Sequence, residues 1–226
     1  MILAGLVSCG ERRIDKPGEQ LAANAALALK GRDHPWVSRG GVKLAAALDH
    51  FRITVDGHVA LDIGASTGGF TEVLLEHGAR RVYAVDVGHG QLAWKLREDP
   101  RVIVHERLNA RYLTRADIPE PLDIITCDAS FIGLATVLPA PLALTAEKAQ
   151  LVALVKPQFE AGPASVGKGG VVRDPEIHRE VCERATAWVA AQPGWSVMAI
   201  VESPILGPEG NREFLLYARR GEEEPR

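Results

Sequence analysis

The sequence predicts an α/β fold: a mostly parallel sheet with helices on both faces and an antiparallel hairpin closing one edge. Three observations carry the prediction. Short apolar strands alternate with helical stretches over most of the chain. A glycine-rich turn in "HVALDIGASTGGFTEVLL" joins a strand directly to a helix. Farther on, "WSVMAIVESP" and "REFLLYAR" flank the Gly/Pro loop "ILGPEGN", as the two arms of a hairpin would.

The elements follow in order. Residues 1–34 hold a short apolar run, "GERRIDKPGEQL" and an alanine-rich stretch, which read as a helix end, a turn and short strands too small to fold alone. In "WVSRGGVKLAAALDHF", Ser38 is the expected N-cap of an amphipathic helix, because Val42, Leu44, Ala45, Leu48 and Phe51 recur at near-helical spacing. Strand "HVALDI" and helix "FTEVLLEHG" come next, then strand "RVYAVDV", helix "LAWKLRE" and strands "RVIVHE" and "LDIITCD". A helix is expected around "LATVLPAPLALTAE", a strand at "QLVALVKP", and a long helix from Asp174 to about Gln192. The residues "GEEEPR", 221–226, read as a flexible tail.

With 226 residues, the chain can bury a substantial core in one main domain. Its three cysteines, Cys9, Cys127 and Cys182, form no CxxC and no Cys/His pairing, which argues against a disulfide framework and a metal site and points to a reducing cytoplasm. No apolar run reaches the length of a membrane span. The formal net charge of -3 gives no global attraction for nucleic acid, so any basic face must be local.

The glycine turn falls at the carboxyl end of a strand, where open α/β sheets bind ligands. Gly64, Gly68 and Gly69 depart from the G-x-G-x-x-G spacing of a dinucleotide site, and Asp62 stands just ahead of them. A pyrophosphate would be repelled by that carboxylate, whereas a sulfonium or amino group would be attracted, so the turn suits S-adenosylmethionine. Asp86 ends the next strand in "VYAVDVG", where a carboxylate accepts both ribose hydroxyls, although dinucleotide enzymes use that place too. Gly64 and Gly68 leave room for the methionine moiety. Ser66 either bonds the ligand or caps the following helix, and Asn109 in "ERLNAR" serves either the adenine or its own turn.

Several blocks in one order extend this picture: "VSRGGVKL", "LDIGASTGGFTEVLLEHGA", "VYAVDVGHGQLAWKLREDPRV", "ERLNAR", "LVKPQFEAG", "VGKGGVVRDPEIH" and "GNREFLL". Together they resemble the TlyA family of hemolysin-like ribosomal RNA methyltransferases, within the wider FtsJ-type ribose methyltransferases. The resemblance implies a Rossmann-like class I methyltransferase fold, S-adenosylmethionine as donor, and methylation of a ribose 2'-hydroxyl in ribosomal RNA or a ribosomal subunit. It places the family's Lys-Asp-Lys-Glu set on Lys43, Asp128, Lys156 and Glu213, with Asp128 also beside the cofactor. It also implies a small RNA-binding module ahead of the catalytic domain. "LAGLVSCGERRIDKPGEQL" resembles only its second half, so residues 1–34 are expected to be a remnant of that module with a linker, and residues 35–220 the methyltransferase domain.

The chemistry makes such a set useful. A ribose hydroxyl is a poor nucleophile, and a sulfonium methyl must be struck in line, so the site has to fix geometry and accept a proton. Lys156 is the candidate nearest the hydroxyl, with Asp128 and Glu213 orienting the amines. The segment "SVGKGGVVRDP", with Lys168 and Arg173, is expected to contact RNA phosphates, and Arg12, Arg13, Arg39 and Lys43 could extend a basic track. Two other classes compete. A membrane-active hemolysin-like protein would need an inserting segment, and a non-enzymatic RNA-binding protein would not need Asp62, Asp86 and the four-residue set together.

Overall fold

The computed structural model describes residues 7–14, 16, 18–22, 24–29, 34–162 and 165–221. The chain divides into two compact units, with the boundary after Pro35. The proposed tail beyond Gly221 lies outside the described residues.

The first unit carries three short strands, β1 (Val7–Cys9), β2 (Arg12–Arg13) and β3 (Leu27–Leu29), in the antiparallel order β2-β1-β3. Ser8 faces Arg13 and Val7 faces Leu29. The expected helix end is absent among its described residues, and the backbone pairs as strand instead.

The second unit is built on a seven-stranded sheet. Its elements are α1 (Gly40–His50), β4 (Val59–Ile63), α2 (Gly69–Glu76), β5 (Arg81–Asp86), α3 (Trp94–Arg97), β6 (Val102–Glu106) and β7 (Leu122–Cys127). After these come α4 (Leu134–Val137), α5 (Pro139–Ala143), β8 (Thr145–Val155), α6 (Pro157–Glu160), α7 (Pro175–Ala190), β9 (Trp195–Glu202) and β10 (Phe214–Arg220). The spatial order is β6-β5-β4-β7-β8-β10-β9. Strands β6 through β8 run parallel, while β10 is antiparallel to both β8 and β9. The hairpin therefore exists, with its second arm on the inside.

Both faces of the sheet are covered, which explains why the strands read as continuous apolar runs. Leu61, Tyr83, Ile125 and Leu151 belong to one buried cluster that includes Val181 of α7. Their neighbours Ala60, Val82, Ile124 and Val152 belong to the other, with Leu44 of α1 and Val73 and Leu74 of α2.

Three local expectations are corrected. Ser38 does not cap α1, since Arg39 occupies the cap position and no side-chain bond is made there. The helix expected around residues 134–147 is broken in two: Pro139 starts a new helix, and the chain turns to strand at Thr145. The helix at "LAWKLRE" shrinks to the four residues of α3. The long helix α7 follows the expectation, with the Asp174 side chain accepting from Glu176 N at 2.9 Å.

Candidate active site

The strand order reverses between β4 and β7, and the crevice opens at their carboxyl ends. Gly64 N donates to Val85 O and Asp128 N to Ile63 O, both at 2.9 Å, so the turns after β4 and β7 leave the sheet side by side. Gly64 has φ +80, and a Cβ there would lie 2.9 Å from the Asp128 carbonyl oxygen. Only glycine lets the two turns approach this closely.

Two cavities share this junction. The larger, about 670 Å³, is lined by Ser66, Asp86, Asn109 and Asp128 with apolar walls from Ile63, Val85 and Leu108. The smaller, about 230 Å³, is lined by Arg39, Lys43, Gly69, Asp128 and Lys156. Gly64, Ser66, Asp128 and Ser130 belong to both.

Asp86 is held on each oxygen by a backbone amide: Ser66 N donates to Oδ2 at 2.8 Å and Gly88 N to Oδ1 at 2.7 Å. A carboxylate oxygen has a further lone pair, so both can still accept from a ligand. Ser66 sits at φ 49, and its hydroxyl bonds Gln91 Oε1 at 3.3 Å. It therefore does not cap α2, whose cap position is Gly68. Asn109 does turn work: its Oδ1 accepts from Arg111 N at 3.1 Å at the start of a short 3-10 turn, while the residue also lines the larger cavity.

Two lysine–carboxylate pairs flank the smaller cavity. Lys43 Nζ lies 2.5 Å from Glu213 Oε2, with both side chains buried. Lys156 Nζ donates to the Asp128 carbonyl oxygen at 3.2 Å and to Ser130 Oγ at 3.0 Å. Asp128 Oδ1 lies 2.6 Å from the same nitrogen but off the hydrogen-bonding direction. The register explains the meeting. Lys156 follows Val155 in β8, Val155 pairs with Phe214 in antiparallel β10, and Glu213 precedes Phe214.

Asp62 and Gly68 stand differently from expectation. Asp62 is fully buried beneath the turn, accepting from Thr71 Oγ1 at 2.7 Å, and lines neither cavity. Burial pushes its carboxyl up to about 7, so near neutral pH much of its charge is gone. Electrostatic attraction of a ligand is thus weaker than the sequence suggested. Gly68, at φ +97, makes room for the Leu96 and Leu92 side chains, which a Cβ would meet at 2.2 and 2.8 Å, and not for a ligand. At Gly69 a Cβ would meet Ser38 Oγ at 2.3 Å, so the Ser38 side chain packs against this turn.

A family model described as FtsJ-like methyltransferase matches residues 36–220. The chain belongs to the FtsJ-like methyltransferase family. Over 222 residues it is 49% identical to the 16S/23S rRNA (cytidine-2'-O)-methyltransferase TlyA of Mycobacterium tuberculosis, covering 96% of this chain and 82% of that one. A Streptococcus thermophilus structure provisionally described as a hemolysin is 46% identical, with a TM-score of 0.83, over 98% of this chain and 81% of that one. An O-methyltransferase from Bacillus cereus, solved with S-adenosylhomocysteine, shares the fold at 19% identity and a TM-score of 0.56, over 80% of this chain and 81% of that one.

Some features of this FtsJ-like methyltransferase escaped the sequence. Ser130 and Gln91 carry no motif-level signal, and only contacts reveal them. Phe131, 90% exposed at φ 64, packs its ring 4.9 Å from Phe159 at the rim of the larger cavity. Lys168 and Arg173 are exposed, as an RNA contact would require. Arg12 and Arg13 belong to the other unit, and Arg12 pairs with Glu19 at 2.6 Å. Among the described residues, no cluster of His, Cys, Asp and Glu could hold a metal, and no helix is long and apolar enough to cross a membrane.

Proposed function

We propose that this protein transfers a methyl group from S-adenosylmethionine to a ribose 2'-hydroxyl of ribosomal RNA, working with ribosomal subunits in the cytoplasm. The observation that carries the proposal is the convergence of the Lys43–Glu213 and Lys156–Asp128 pairs on one small cavity, which shares Asp128 with a larger cavity fitted to a nucleoside. The similarity to an rRNA (cytidine-2'-O)-methyltransferase over most of both chains supports the substrate class.

The larger cavity fits the adenosine half of the cofactor. Asp86 offers two backbone-steadied oxygens for a ribose diol, and Ile63, Val85 and Leu108 offer apolar walls for a base. Asn109 lines the same wall. Gly64, Ser66 and Gly69 shape the passage toward the lysines. S-adenosylmethionine, when bound, supplies an electrophilic methyl carried on a sulfonium.

The chain's own residues then do the orienting. Two of the three terminal positions on Lys156 Nζ are occupied by the Asp128 carbonyl and Ser130 Oγ. The third, the lone pair of the uncharged amine, is left to meet the acceptor hydroxyl and take its proton as the O–CH3 bond forms and the methyl's bond to sulfur breaks. Lys43 is a buried cation held by Glu213 on the wall of the same cavity, where it steadies charge on the acceptor oxygen. Glu213 lines neither cavity, so it acts by positioning Lys43.

The test is transfer of labelled methyl from S-adenosylmethionine to ribosomal subunits from cells lacking the gene, followed by mapping of ribose methylation. The expected result is a 2'-O-methyl at a defined ribosomal RNA nucleotide. Methyl on a base, or none from a protein that binds S-adenosylhomocysteine, would overturn the proposal.

A further inference from the structure

We infer that Ser130 is a positioning residue for methyl transfer, acting through Lys156. The inference rests on the proposed function and adds a member to its machinery. Ser130 Oγ accepts a hydrogen bond from Lys156 Nζ at 3.0 Å, and the residue forms part of the wall common to both cavities. An amine on a flexible four-carbon stem has no fixed direction of its own. One contact, to the Asp128 carbonyl oxygen at 3.2 Å, would leave Nζ free to swivel about that bond. The second contact, to Ser130, removes that freedom and sets where the remaining position points.

The nearby carboxylate does not replace it. Asp128 Oδ1 lies 2.6 Å from Nζ but off the hydrogen-bonding direction, so it attracts charge without fixing an angle. Ser130 also spends only its oxygen on the lysine, since Nζ is the donor. The residue therefore ties the direction of Lys156 to the place where donor and acceptor must meet. In-line transfer is sensitive to such placement.

The experiment is single-turnover methyl transfer to ribosomal subunits, run beside S-adenosylhomocysteine and subunit binding, on wild type, Ser130→Ala, Ser130→Thr, Lys156→Ala and the double variant Ser130→Ala/Lys156→Ala. Ser130→Ala is expected to lose about tenfold in rate with both affinities within about twofold of wild type, the size of one lost hydrogen bond to a functional group. Ser130→Thr, which keeps the hydroxyl, is expected to recover most of the rate. In the Lys156→Ala background, followed over hours, Ser130→Ala should cost nothing further, because the group it positions is gone. A full additional loss in the double variant would overturn the inference, as would an unchanged rate in Ser130→Ala or a parallel fall in cofactor affinity. Absence of transfer by the wild type would instead count against the methyltransferase proposal, so the two failures are distinguishable.

Discussion

Lys43 and Glu213, 170 positions apart in the chain, form a buried ion pair with Nζ 2.5 Å from Oε2. Removing one partner leaves the other as an uncompensated buried charge. Lys43→Ala and Glu213→Ala should each lower stability by about 3–5 kcal/mol. The double change Lys43→Met/Glu213→Leu should recover most of that in urea denaturation while transferring no methyl. Full activity in the double variant would remove the pair from the mechanism.

Lys156→Ala should fold normally and bind S-adenosylhomocysteine like wild type, yet lose methyl transfer by about 100-fold or more. Lys156→Arg should not rescue it, since a planar guanidinium neither fits the two contacts of Nζ nor gives up a proton. Near-normal single-turnover rates in both would leave Lys156 as a structural anchor for Asp128 and Ser130.

Asp86 holds two backbone amides as well as facing the larger cavity. Asp86→Ala releases Ser66 N and Gly88 N along with any ligand contact. Affinity for S-adenosylhomocysteine should fall by about 10- to 100-fold, corresponding to loss of charge-assisted hydrogen bonds of roughly 1.5–3 kcal/mol. Calorimetry checks this, and an unchanged affinity would move the nucleoside site elsewhere.

Asp62 gives a pH prediction. Its carboxyl is raised from 3.8 to about 7 by burial, so the folded state holds a proton that the unfolded chain has already released. Stability from this group is therefore full below about pH 4, declines as pH rises toward 7, and levels off above it. Asp62→Asn removes the dependence and should gain on wild type between pH 5 and 8, by on the order of 4 kcal/mol at most. Because Asp62 lines neither cavity, the same variant should bind S-adenosylhomocysteine within about tenfold of wild type. Thermal denaturation at the two pH values and calorimetry test both parts, and a pH-independent difference would refute the linkage.

Strand-level organisation was legible in the sequence because the sheet is covered on both faces, and a doubly buried strand announces itself as an apolar run. The glycine turn and Asp86 were legible too, since both stand at strand ends; Lys43, Asp128, Lys156 and Glu213 were placed only by the family resemblance, and Lys43 lies inside α1. What the sequence hid was direction. Asp62 and Gly68 lie in the motif yet point away from the crevice, one into the core beneath α2 and the other against Leu92 and Leu96. Side-chain direction at a tight turn follows from φ values such as +97 at Gly68, which one-letter spacing does not record. Ser130 was hidden for a related reason: its partner, Lys156, is 26 residues away, and a lone serine in a loop has no pattern.

Strand β10 lies between β8 and β9, although it is synthesised after both. A nascent chain ending at Glu202 would therefore own Asp86, Asp128 and Lys156 but lack the carboxylate that holds Lys43, and its β9 would have no strand to join it to β8. On the proposed role of Glu213, competence arrives with one late stretch of polypeptide. If ribosomal RNA is the substrate, the machine that makes this protein meets it first as an inert tenant, and becomes its target only after translation has passed Glu213.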